Sequence, residues 1–444
     1  MTTAKQNSDQ PATSDVLDEK LDSLYQFVSG DEDARVCKDI PDAACSEQPR
    51  NFLAWLSANT LSKLADEVAS ARLVLPWLFS ALGAPAAMAG FLVPIRESGV
   101  LLPQLVVAAW IRKMERRKWA WISGAVLSAL SLMLMAWAAL TLEGAQAGWA
   151  LLGALIIFSL SRGICSVSAK DVLGKTVSKT RRGNLMGRAT AISGALTVVL
   201  GVVISTDWFA PSVSLYAGML VVAAGLWLCS ASLFAGIVEV PGSTEGGGNA
   251  ISTALKSLSL LKSDADFRRF VIARSLLLSV ALAAPFYVLL AQKQGSAGGF
   301  GLMVLASGLA SALSATFWGR WADRSSLRVM QVTAAGSGVL GLLTWALASQ
   351  WQQGWIYALL FFISALLHAG ARLGRKAYLV DMADSETRAS YVAVSNTVIG
   401  VVMLLAGSVG IIADIWTNAT VIGVLAIASL LAVPYMQSMK DVSG

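Results

Sequence analysis

Ionisable side chains inside long apolar runs are the residues of this chain that could do chemistry. A charge in hydrocarbon is costly unless it is paired or faces water, so such residues mark ion or solute paths. The first apolar run, "LSKLADEVASARLVLPWLF", holds Lys63, Asp66, Glu67 and Arg72; the second holds Arg96 and Glu97; later runs hold Arg162, Arg274 and His368, the one histidine in the chain. At 1.5 Å of rise per residue, Asp66 and Glu67 fall roughly 8 Å and Arg72 roughly 17 Å into the apolar layer. Lys63 and Glu67, four residues apart, are expected to pair on one helix face. Arg72 lies about 140° around the helix from Glu67 and needs another partner, and Glu97, at a similar depth on the next run, is expected to supply it. Such a pair offers a carboxylate that can take up a proton and a cation that can anchor an anionic group. His368 titrates near neutrality and could relay protons, while Arg274 is one turn deep and could simply snorkel to the interface. Set against Asp66, Glu67 and Glu97, the cations Arg72, Arg96, Arg162 and Arg274 give a slight positive excess. That balance favours an anionic or zwitterionic organic solute.

The elements that carry these residues follow from composition. Hydrophobic residues make up 55% of the 444 and charged residues 14%, with a mean hydropathy of +0.62, well outside the soluble range. Twelve segments are long enough to cross a ~30 Å hydrocarbon core: 58 to 82, 86 to 110, 119 to 142, 147 to 168, 186 to 206, 212 to 238, 269 to 291, 299 to 318, 329 to 349, 354 to 373, 389 to 412 and 415 to 436. Residues 1–50 have eleven Asp and Glu against five Lys and Arg and read as an acidic, largely disordered tail. Residues 15–30 could form a short amphipathic helix through Leu17, Leu21, Leu24 and Phe27 or Val28. Of 34 Lys and Arg, 22 lie in or beside the five loops after the second, fourth, sixth, eighth and tenth segments, and one, Lys293, lies on the opposite side. This asymmetry places both termini in the cytoplasm of a multi-pass inner-membrane protein. The net charge of +6 is thus a matter of topology and calls for no nucleic-acid partner. Cys37 and Cys45 in the tail are expected to stay reduced, and Cys165 and Cys229 lie in spans.

The segment 240–268, with its glycine cluster at 246–248, reads as a cytoplasmic linker between six-helix bundles at 51–239 and 269–438, followed by a tail at 439–444. The two bundles align weakly with each other. Setting Arg182 on Arg388 brings Gly194 and Gly201 onto Gly400 and Gly407, and Lys170 onto Lys376; a second register pairs Pro76 with Pro285. The same repeat sets Arg162 opposite His368. A duplicated six-span unit places a substrate site near the midplane between its halves.

Between the eighth and ninth spans lies "GRWADRSSLR". It resembles the loop motif of the major facilitator superfamily through Gly319, Asp323, Arg324 and Arg328, with Ser326 where that family has a glycine. "AWIRKMERRK" occupies the corresponding place in the first half, with Lys113 where an aspartate is expected and Glu115 two residues on. "VPIRESGVLLPQL" and "AYLVDMADSETRASYVAVSNT" resemble a group of bacterial permeases in the same superfamily. The resemblance covers the chain from about residue 50. It implies an all-α fold of twelve transmembrane helices in two pseudo-repeats, a monomer, and a secondary carrier with no cofactor. It also implies that the motif residues form a cytoplasmic latch, better preserved in the second copy. Arg372 and Asp381, near the cytoplasmic face, are expected to belong to that gate.

No phosphate-binding GxxxxGK[ST] occurs, so the driving force is expected to be an ion gradient, a proton gradient above all. No cluster of metal ligands or catalytic triad is apparent, and no enzyme is expected. A multidrug or metabolite exporter of the same fold and a non-transporting assembly factor or sensor remain alternatives.

Overall fold

The computed structural model describes residues 21–28, 40, 42–206, 209, 211–242, 244, 258–293, 299–351, 353–383 and 388–442. Every extended regular element among them is helical: α1 (Gln48–Val68), α2 (Val74–Ala81), α3 (Ala86–Ile111), α4 (Lys118–Thr141), α5 (Gly144–Thr176), α6 (Lys179–Ile204), α7 (Val213–Ala235), α8 (Ala265–Lys293), α9 (Gly299–Ala322), α10 (Ser326–Leu347), α11 (Gly354–Met382), α12 (Ser390–Ile415) and α13 (Asn418–Gln437). Ten of these helices are long and apolar enough to cross a membrane by length and composition. The other three, α1, α2 and α9, fall on the first and eighth expected segments. Large apolar side chains point outward along the bundle, among them Leu405 at 70% and Leu431 at 59% exposed, as a lipid-facing surface requires.

The first expected span differs from its sequence reading. Helix α1 begins at Gln48, ten residues early, because Phe52 and Trp55 are buried against the bundle and Asn51 exchanges hydrogen bonds with the Val238 backbone at 2.8 and 3.1 Å. It then ends at Val68, and residues 69–73 form turns, with Leu75 N–H donating to Ser70 O at 3.0 Å before α2 resumes toward Pro76. A proline has no N–H and disfavours helix immediately before it, which suits this break. Helix α8 is interrupted likewise at Leu277 and Ala283, just ahead of Pro285. Arg72 therefore sits in unwound backbone, and the angle counted around a continuous helix does not apply.

In the tail, a helix covers residues 21–28, but its buried residue is Tyr25, which accepts from Gln48 Nε2 at 3.1 Å and meets the Phe52 ring edge-on. Leu24 and Phe27 are exposed, whereas Val28, the alternative to Phe27 on the expected apolar face, packs against the core. Leu17 and Cys37 lie outside the described residues. Cys45, expected as a free thiol, is disulfide-bonded, while Cys165 and Cys229 are free.

The end carrying the basic loops is held differently from the expected latch. The side chains of Asp323, Arg324 and Arg328 make no ion pair among the described residues, and a Cβ on Gly319 would meet nothing within 4 Å. Helix α10 is capped instead by Ser325, whose hydroxyl accepts from Arg328 N–H at 3.2 Å and donates to Asp441 at 2.6 Å. Neither Lys113 nor Glu115 uses its side chain in an ion pair among the described residues; the Glu115 carbonyl accepts from Gly242 N–H at 3.0 Å and Lys175 at 3.3 Å. The strong link in this half is Glu239, unremarked in the sequence. Its buried carboxylate accepts from the Arg117 and Lys118 N–H groups at 3.0 and 2.7 Å and pairs with Lys175 at 3.0 Å. A carboxylate is favourable there because the first N–H groups of α4 carry the positive end of its dipole.

At the opposite end, helices before and after the 240–257 segment meet through glycines. A Cβ on Gly201 would lie 2.5 Å from Leu305 N, one on Gly308 2.8 Å from Val198 N, and one on Gly90 2.7 Å from Gly410 Cα. Small residues of this kind let helix backbones approach closely in an apolar environment. Gln292 Nε2 donates to Trp77 O at 3.4 Å, and Asp414 accepts from Ala87 N–H at 3.2 Å, across the same junction.

Two outcomes test this packing. Replacing Glu239 with Ala strands Lys175 and two helix N–H groups and should lower stability by about 3 kcal/mol, read as a fall in apparent melting temperature in detergent. Gly201→Ala should force α6 away from α9, so that a cysteine placed at Ser205 reacts faster with a membrane-impermeant maleimide than in the parent.

Candidate functional site

The unwound stretch after α1 opens into a cavity of about 350 Å³ between α1, α3, α5, α9 and α11. Seven sequence-selected residues line it: Asp66, Glu67, Arg72, Arg96, Glu97, Arg162 and His368. A second chamber of about 350 Å³ adjoins it on the side of the basic loops and shares Glu67, Arg72, Ser307, His368 and Arg372 with the first. Lys63, Thr190, Ser314 and Lys376 also line the second chamber. Together the two leave room for a small metabolite.

The first chamber is organised by two ionic groups. Arg72 Nη2 lies 2.8 Å from Glu97 Oε1, the contact expected from their depths. Asp66 takes Arg162 at 2.7 Å on one carboxylate oxygen and Arg96 at 3.4 Å on the other. Both arginines also lie over aromatic faces, Arg162 at 4.3 Å from the Trp227 ring centre and Arg96 at 5.1 Å from that of Phe158. The ring quadrupole and the bridging carboxylate hold the two guanidinium groups as a pair that their mutual repulsion would otherwise separate. Asp66 thus ties together α1, α3 and α5.

Glu67 behaves differently. It makes no ion pair among the described residues; its carboxylate accepts from Ser307 Oγ of α9 at 3.2 Å. The pair expected between Lys63 and Glu67 is absent, although both face the second chamber. Arg162 and His368 line the same chamber, but Arg162 is committed to Asp66, and both ring nitrogens of His368 lack hydrogen-bond partners.

Arg274 is not part of the cavity. It is buried and donates to Ser395 Oγ at 2.5 Å and Asn396 Oδ1 at 2.9 Å on α12, so it neither snorkels nor faces a solute. Arg372, expected at the gate, lines both chambers instead, and Lys376 lies one turn beyond it. The signal for these two was present in the sequence: His368, Arg372 and Lys376 recur every four residues on one face of α11.

No protein-family model matches the chain, and no curated protein matches it in sequence. Solved structures do match in three dimensions. A mutant of the nucleoside transporter NupG superposes with a TM-score of 0.69 at 15% identity, covering 87% of this chain and 99% of its own. A POT family transporter in complex with 5-aminolevulinic acid gives 0.67 at 10% identity, covering 87% of this chain and 95% of that one. The proton:xylose symporter XylE, a major facilitator superfamily protein, gives 0.58 at 13% identity, with 89% and 97% covered. The chain has the major facilitator fold. With ten helices long and apolar enough to cross a membrane, it is a multi-pass membrane protein.

Loss of Asp66 in this fold leaves Arg96 and Arg162 facing each other without an anion. Asp66→Ala should therefore cost about 3–5 kcal/mol. Arg72→Ala and Glu97→Ala should be strongly non-additive, because each single change strands the other charge. Denaturation of the single and double variants in the same detergent measures both effects.

Proposed function

We propose that this protein is a secondary active transporter of a small organic anion or zwitterion, driven by protons and working by alternating access. In this reading twelve spans form two six-helix bundles, 51–239 and 269–438, with the substrate held between them. Both termini and the basic loops face the cytoplasm of the inner membrane, and the chain acts as a monomer. The glycine-lined junction closes the outer side, and the second chamber leads toward the cytoplasm, so the conformation described is inward-facing.

The observation that carries the substrate class is the charge of the cavity walls. Six cations, Lys63, Arg72, Arg96, Arg162, Arg372 and Lys376, face three carboxylates, Asp66, Glu67 and Glu97. An uncompensated positive surface in a low-dielectric cleft draws anions and disfavours cations. A multidrug exporter would be better served by an apolar cavity.

Glu67 is the group best suited to carry the coupling proton. Asp66 and Glu97 are each held by arginine, whereas Glu67 has only a hydroxyl partner, and that partner is on the other bundle. Protonation would leave Glu67 neutral, with an O–H that can serve as donor toward α9, so proton uptake changes a contact between the moving parts.

A thermal-shift screen against small organic acids supplies the substrate, since a ligand bound only by the folded state raises apparent stability. In proteoliposomes, Glu67→Gln should then retain counterflow of that substrate but lose stimulation by an inward proton gradient. Full proton-driven uptake by this variant would refute the coupling role. Arg162→Ala should abolish both activities while the protein remains folded.

A further inference from the structure

The two chambers differ in a way that the overall charge excess conceals. In the first, Asp66 and Glu97 are spent on arginines, and the cations there form a fixed framework. In the second, Lys63, Arg372 and Lys376 make no ion pair among the described residues, and Arg72 is already neutralised by Glu97. Among the described residues the only carboxylate facing that chamber is Glu67. Three unpaired cations against one carboxylate leave two positive charges uncompensated when Glu67 is ionised, and three when it is protonated.

The cations are also arranged for one ligand. His368, Arg372 and Lys376 rise along one face of α11, about 6 Å apart at each step, and Lys63 stands across the chamber on α1. Arg372 offers a planar fork that can grip two oxygens at once, and Lys376 and Lys63 offer point charges on flexible stems. His368 is buried, with both ring nitrogens free of partners, and can meet an uncharged polar group of the same ligand.

We infer that the second chamber, formed by Lys63, His368, Arg372 and Lys376, is the binding site for a doubly negative head group, a phosphomonoester or a dicarboxylate, on a small organic solute. This deepens the carrier reading and rests on it. A dianion matches the two uncompensated charges present with Glu67 ionised; a monoanion leaves one charge unmet, and a neutral solute leaves both. Protonation of Glu67 removes the one carboxylate that competes with the ligand, so the proton and the dianion favour each other's binding.

The test uses the full chain in lipid nanodiscs with four probes at matched ionic strength: glycerol 3-phosphate, succinate, lactate and glycerol. Melting temperature is followed against probe concentration. Glycerol 3-phosphate or succinate is expected to stabilise the protein, and whichever acts names the head group; lactate and glycerol are expected to have little effect. Arg372→Gln and Lys376→Gln should each weaken the effective dianion about tenfold or more, the usual loss for a charge-assisted hydrogen bond, and Lys262→Gln, an exposed cation outside the cavity, should not. Stabilisation by lactate equal to that by succinate, no stabilisation by either dianion, or a dianion effect that survives both substitutions would overturn the inference. Counterflow of the four probes in proteoliposomes separates the two levels. Transport of lactate or glycerol with no dianion binding keeps the carrier and removes the dianion site. Dianion binding lost in Arg372→Gln, without counterflow of any probe, keeps the site and removes the carrier.

Discussion

The bridge that Asp66 makes between Arg162 and Arg96 is the constraint on which the site depends. Two guanidinium groups in a low-dielectric cleft repel each other, and a single carboxylate with one oxygen for each turns that repulsion into a cross-brace between α1, α3 and α5. The stacking of Arg162 on Trp227 and Arg96 on Phe158 fixes the planes of both groups. With these three helices braced, the unwound residues 69–73 can project Arg72 into the cavity without loosening the helices on either side. The neighbouring Arg72 to Glu97 pair then needs no further support.

Much of this was legible in the sequence. Apolar length and the one-sided distribution of Lys and Arg are properties of solvation, and they pointed to a multi-pass helical membrane protein before any contact was known. Seven of the eight intramembrane candidates do converge on one cavity, because burying an ionisable group anywhere else is too costly. Arg274 is the exception, and its reason is visible only in three dimensions: Ser395 and Asn396 on α12, neither of them charged, accept from its two terminal nitrogens.

What the sequence did not reveal depended on backbone geometry or on polar groups outside the apolar runs. The break at 69–73 changes which way Arg72 points, and a count of 100° per residue cannot register a missing turn. Glu239 lies in a short non-helical stretch after α7, between Val238 and Val240, where an isolated glutamate carries no periodic signal, yet it caps α4 and holds Lys175. The loop motif around Asp323 drew attention because its spacing resembles a known pattern. In this conformation, however, Ser325 caps the helix, and the stronger ionic link lies in the other half of the chain.

The glycine junction has a consequence for how the molecule responds to its surroundings. Where Gly201 meets Leu305 and Gly90 meets Gly410, backbone lies against backbone, and the attraction is dispersion spread over many atom pairs with few charges to screen. The end with the basic loops is held instead by carboxylates, Glu239 and Asp441, whose strength varies with salt and acidity. The two ends are therefore sensitive to different things: one to the lipid pressing the helices together, the other to the composition of the water beside it. A molecule built in this way has two ends that answer to different changes in their surroundings.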